Sequence, residues 1–95
     1  MAITIKTPEE IEGLRLAGRL AGELLDYLTP FVKPGITTGE LDKLAYEYTL
    51  SQGCIPACLG YQPAGMTPYP ATTCISVNHV VCHGIPGDKK LKDGD

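Results

Sequence analysis

No basic run or basic helix face occurs in this sequence, in which 8 Lys and Arg are outnumbered by 11 Asp and Glu for a net charge of −3. Without such a patch nothing neutralises phosphates or anionic head groups, which argues against nucleic acid and membrane surfaces as partners. A long apolar run is also missing. The first residues, "MAITIKTPEE", hold one lysine, early acids and no apolar h-region, so they read as neither a secretion signal nor a spanning segment. A cytoplasmic protein is expected. In a reducing compartment Cys54, Cys58, Cys74 and Cys82 are then expected as thiols rather than two bridges. Tryptophan is absent, and so are internal repeats and low-complexity tracts. The remaining balance, 43% hydrophobic and 20% charged, is that of a globular chain rather than a disordered tail. Its 95 residues suffice for at most one domain, which at this size buries roughly 60–70% of its unfolded surface.

What is present begins with two helix signatures. In "TPEEIEGLRLAGRLAGELLDYLTPFVKPG", Thr7 as N-cap, Pro8 at the first helical position and Glu10 three residues after the threonine predict a helix from Pro8 that ends around Pro30. Ile11, Leu14, Gly18, Ala21, Leu25 and Leu28 recur at steps of three and four, and Leu16, Leu20 and Leu24 widen the stripe, so one side is expected to be covered. Gly18 and Gly22 reflect either close approach of a neighbouring backbone or drift at an exposed position. A second helix is predicted in "TTGELDKLAYEYTLSQG", capped by Thr37 with Glu40, lined by Leu41, Leu44, Ala45 and Tyr48 and stopped at Gly53. The short connection favours an antiparallel pair.

After Gly53 the texture changes. "CIPACLGYQPAGMTPYPATT" carries prolines at 56, 63, 68 and 70 and cannot be helical; its cysteines, tyrosines and methionine favour an ordered loop over a linker. The run "CISVNHVVCHGIP" then reads as a β-hairpin turning at Asn78 and His79. The expected cross-strand pairs are Val77 with Val80, Ser76 with Val81, Ile75 with Cys82 and Cys74 with His83. Ile75, Val77, Val80 and Cys82 would share an apolar face, and Cys74 and His83 would meet on the mixed one.

Three chemistries compete for this run. A zinc site would draw on Cys74, His79, Cys82 and His83, but a hairpin puts His79 at the tip and Cys82 on the face away from His83. A thiol nucleophile, Cys82 or Cys74, needs a histidine base and a group to orient it, and no orienting carboxylate is apparent. A pocket walled by Cys58, Tyr61, Tyr69 and Cys74, with His83 at its mouth, suits a slender polarisable guest. Ordinary core packing explains the same residues equally well. The closing "GDKKLKDGD" ends on a turn signal that should feed a strand, and a lone hairpin with two helices makes a meagre sheet.

The runs "MAITIKTPEEIEGLRLAGRLAGELL", "VKPGITTGELDKLA", "ACLGY" and above all "CISVNHVVCHGIPGDKKLKDGD" closely resemble the N-terminal part of the bacterial type I methionine aminopeptidase family. The resemblance implies an α+β pita-bread fold, truncated here to its first helices and first β-hairpin. Residues 1–95 would be the N-terminal portion of one catalytic domain, with no second domain. It implies a cytoplasmic hydrolase that removes the initiator methionine from nascent proteins, with association with the ribosome and a monomeric full-length state. Two divalent ions (Co, Mn, Fe, Zn or Ni), held in the family by two aspartates, a histidine and two glutamates, activate a bridging water. Those ligands are expected beyond Asp95, so the 95-residue chain alone is expected to bind no divalent ion and to be inactive. By the same resemblance Cys58, Tyr61, Tyr69 and Cys74 line the methionine pocket, and His83 contacts the scissile amide and steadies the tetrahedral intermediate. Carbonyls of Asn78 and Val80 would hold a monovalent cation. The alternative is a non-catalytic binding protein on the same fold.

Overall fold

A computed structural model describes residues 2–95. Helix α1 spans Pro8–Leu28 and begins as its cap dictates: Glu10 N–H donates to Thr7 Oγ1 at 3.2 Å while Thr7 N–H donates to Glu10 Oε1 at 2.9 Å. This reciprocal box satisfies two backbone donors that the first turn would otherwise leave unpaired. A 3₁₀ turn, Thr29–Phe31, carries Pro30 and ends the helix. Helix α2 spans Thr38–Ser51, with Thr37 Oγ1 accepting from Glu40 N–H at 3.0 Å. Gly53 lies just past its end at φ 73°, donating to Leu50 O at 3.0 Å, a left-handed position that suits glycine.

The two helices meet through rings and leucines. Tyr27 of α1 stacks on Tyr48 of α2 at 4.6 Å and 21°, and also leans on Phe31 at 5.4 Å. Leu20, Leu24 and Leu28 are half-buried, whereas Ile11, Leu14 and Leu25 of the expected stripe are exposed. The covered edge of α1 is therefore the Leu20, Leu24 and Leu28 side of the widened stripe, while its Ile11, Leu14 and Leu25 side is left open. A Cβ added at Gly18 or Gly22 would meet open space, so the close approach that was one reading of these glycines is not found among the described residues.

Among the described residues Leu41, Ala45, Pro56 and Ala71 are buried, with Thr38 and Thr72 beside them, so the core lies where α2 meets the loop after it and the segment leading into the expected hairpin. Residues 87–91 run antiparallel to 35–39 at the entrance of α2. Leu91 N–H bonds Ile36 O at 2.8 Å, Thr38 N–H bonds Lys89 O at 3.0 Å, and a single bridge joins Thr37 to Lys90.

The hairpin expectation needs correction. The turn stands where Asn78 and His79 place it, with Val80 N–H donating to Val77 O at 3.1 Å and Asn78 at φ 53°. No named strand forms among the described residues, and the register differs: Ile75 N–H bonds the carbonyl of Gly84 at 2.8 Å, so Ile75 does not face Cys82 and Cys74 does not face His83. His83 adopts φ 53°, a left-handed kink that absorbs the additional residues on the returning limb. The apolar face is split accordingly, with Ile75 and Val77 half-buried and Val80 and Cys82 exposed. Among the described residues no helix is long and apolar enough to cross a membrane.

Candidate functional site

The loop that follows α2 is ordered by its own backbone. Cys54 N–H bonds Thr49 O at 3.1 Å, and the Cys58–Tyr61 and Pro63–Met66 turns close at 3.0 Å each. Gly60 and Gly65, both at φ 79°, occupy the third position of these turns, where a type II geometry requires a positive φ. Two further bonds, Gly60 N–H to Tyr69 O at 2.8 Å and Tyr69 N–H to Tyr61 O at 2.7 Å, fold the loop back on itself. Tyr69 is thereby held against Cys58.

Tyr69 is the keystone of the site. Its hydroxyl donates to Thr73 O at 2.9 Å and lies 3.3 Å from Gly84 O, the carbonyls next in sequence to Cys74 and His83. Burial pushes its phenol well above the ordinary 10.0, reinforced by a hydrogen bond with Cys74 and by the charges of Cys74, Cys58 and Asp42 nearby. Burial likewise raises the Cys58 thiol above 9.0, helped by its contact with Cys74. The structure thus brings together Cys58, Tyr69 and Cys74, three of the four pocket residues expected from sequence. All four cysteines carry free thiols. Tyr61 is joined to Tyr69 through its backbone, but its side chain is 63% exposed.

His83 is exposed, with Nδ1 3.7 Å from its neighbour Cys82 Sγ. That contact pairs adjacent residues without any carboxylate to orient the ring, so the arrangement is not that of a thiol nucleophile and its base. Asn78 donates from Nδ2 to Asp95 Oδ1 at 2.8 Å, which ties the turn to the last residue. Among the described residues no group of three or more His, Cys, Asp or Glu converges in a way that could hold a metal ion, so the residues present fit neither a structural zinc nor a divalent pair.

Two participants carried no recognisable signal in the sequence. Asp42, on α2, accepts from Thr73 N–H at 2.8 Å, Thr73 Oγ1 at 2.6 Å and Thr72 N–H at 3.4 Å. Ser76 Oγ accepts from Gly84 N–H at 3.0 Å. Beside the cluster a groove of about 360 Å³ runs between Leu20 and Leu24 of α1, Tyr48 of α2, Cys58 and Thr73.

Residues 12–95 match metallopeptidase family M24. The chain belongs to this family. Among its relatives, Escherichia coli K12 methionine aminopeptidase is 57% identical over 97 residues, covering 100% of this chain and 35% of that protein. The Haemophilus influenzae methionine aminopeptidase is 53% identical over the same length, at 34% of that protein. The M24 chain therefore spans about a third of the length of the curated relatives it matches. The crystal structure of methionine aminopeptidase from Rickettsia prowazekii superimposes on 98% of this chain and 36% of that one, with a TM-score of 0.89 at 45% identity. Its fold over these residues is thus that of the corresponding part of an M24 enzyme.

Proposed function

We propose that residues 1–95 form the N-terminal portion of a single pita-bread catalytic domain that removes the initiator methionine from nascent proteins. This part supplies the berth for the methionine side chain and an auxiliary histidine. The observation that carries the reading is the convergence of Cys58, Tyr69 and Cys74, with one tyrosine hydroxyl reaching carbonyls beside Cys74 and His83. Thiol sulfur and an aromatic ring form a polarisable wall that suits a flexible thioether, and Tyr61, one turn away on the same loop, completes the rim.

In this proposal His83 donates a hydrogen bond to the oxygen of the scissile amide as negative charge develops there, a contact stronger in the transition state than in the ground state. The carbonyls of Asn78 and Val80 take a monovalent cation; neither accepts a hydrogen bond among the described residues. The divalent pair falls to residues outside 1–95. The complete enzyme acts as a cytoplasmic monomer on polypeptides emerging from the ribosome.

The test is a chimera in which residues 1–95 replace the matching third of the E. coli enzyme. With Co²⁺ or Mn²⁺ it should release methionine from Met-Ala-Ser, and His83→Ala should lower kcat by about 10²–10³. The 95-residue chain alone should release none. A folded, metal-loaded chimera that cleaves nothing, or one indifferent to His83→Ala, would overturn the proposal.

A further inference from the structure

A polar anchor with three donors lies outside the residues that resemblance assigns to the site. Asp42 projects from α2 with its carboxylate half-buried, and it gathers three donors from a segment 30 and 31 residues further on. Two converge on one oxygen: Thr73 N–H at 2.8 Å and Thr73 Oγ1 at 2.6 Å on Oδ1; the third, Thr72 N–H, is a longer 3.4 Å on Oδ2. Bonds to an ionised acceptor are roughly twice as strong as neutral ones, and the second oxygen adds orientation to strength. Thr72 is buried, so the clamp operates at the edge of the core. On the opposite side of the same backbone, Thr73 O receives the Tyr69 hydroxyl at 2.9 Å. Thr73 is thus fixed from both faces, by α2 and by the loop, and the next residue is Cys74.

We infer that Asp42 is the positioning residue for the Cys58, Tyr69 and Cys74 cluster: it ties the cluster to α2 through Thr72 and Thr73 and so fixes how the cluster stands beside the groove that Cys58, Thr72 and Thr73 line. The functional meaning of that placement, the fit of the side chain admitted, rests on the methionine reading above. The clamp itself does not.

Thiol labelling of the 95-residue chain separates the two. Cys54 and Cys58 are both half-buried, but Cys54 is held by the end of α2 through Thr49 and has no link to Asp42. Rates of iodoacetamide labelling, read by peptide mass spectrometry, should rise at least about tenfold at Cys58 in Asp42→Ala, the fold-change that corresponds to losing one of its three charge-assisted bonds. Cys54 should be unmoved. Asp42→Asn keeps an oxygen for both Thr73 bonds but loses the charge and turns an NH2 toward Thr72 N–H, so its labelling at Cys58 should fall between the parent and Asp42→Ala, with Cys54 unmoved. In the chimera Asp42→Ala should raise KM for Met-Ala-Ser with kcat nearly unchanged. A selective rise at Cys58 upholds the clamp even if the chimera cleaves nothing, in which case the methionine reading alone fails. An equal rise at Cys54 and Cys58, no rise at either, or an Asn variant that behaves like Ala overturns it.

Discussion

Replacing Gly84 with alanine tests the geometry of the returning limb most directly. A Cβ at this position would clash with Ile75 O and lie 2.8 Å from Ile75 C and 2.9 Å from Ser76 Cα, all groups that cannot swing aside like a flexible side-chain end. Ordinary contact starts near 3.4 Å, so the two limbs must part by about 1 Å. Three bonds anchored at Gly84 would suffer: Ile75 N–H to its carbonyl at 2.8 Å, the Tyr69 hydroxyl to the same oxygen at 3.3 Å, and its own N–H to Ser76 Oγ at 3.0 Å. Overpacking costs about 1–3 kcal/mol and a net hydrogen bond about 1 kcal/mol. Allowing for partial relaxation, the limb should lose about 2–3 kcal/mol of local stability, a speeding of roughly 30- to 150-fold in exchange of the Ile75 amide, which native-state hydrogen exchange by NMR would read. Gly87→Ala is the control, because a Cβ there meets nothing within 4 Å. If Gly84→Ala left the Ile75 amide exchanging at the parental rate, the Ile75 to Gly84 register would be refuted.

Other outcomes follow from the same contacts. Thr37→Ala removes the acceptor for Glu40 N–H and should destabilise α2 by about 1 kcal/mol in a melt followed by far-ultraviolet circular dichroism. Because the Tyr69 phenol is raised above 10.0 in the fold, its contribution to stability is fully present below that value and declines as pH climbs past it. Phenolate absorbance should show an ionisation step above the ordinary 10.0, and Tyr69→Phe should abolish that step. The Asp95 carboxyl is held below 3.8, first by Asn78 and then by the Lys92 backbone, so the tie to the turn should persist through pH 3.8 and release only in more acid solution. The NMR shift of the Asn78 side-chain amide, followed against pH, would report the release.

Local chemistry was legible in the sequence where a few neighbouring residues decide the outcome. Thr7, Pro8 and Glu10 start α1 where their types demand, Gly53 stops α2, and Asn78 takes the positive φ of the turn. The grouping of Cys58, Tyr69 and Cys74 was also legible, through resemblance rather than spacing. Register was not. A left-handed φ at His83 is unusual for a residue with a Cβ, and only the close approach of Gly84 to Ile75 O makes the offset necessary. The periodicity of α1 offered two adjacent faces, and the choice between them rests on Tyr27 finding Tyr48, a contact across 21 positions that no local pattern announces. Asp42 was overlooked for the same reason: on α2 it looks like any solvated carboxylate until Thr72 and Thr73 arrive.

The seam between residues 35–39 and 87–91 bears on the order in which the chain acquires structure during synthesis. Thr38 Oγ1 accepts from Gly87 N–H at 2.9 Å, and Gly39 N–H finds Gly87 O at 2.8 Å, across 49 and 48 positions. The capping box of α1 spans four consecutive residues, so its first turn finds its polar partners without any downstream segment. The doorway of α2 must instead wait for the last tenth of these residues to be polymerised before its exposed donors are met. A translational pause ahead of Gly87 would therefore prolong a half-latched state.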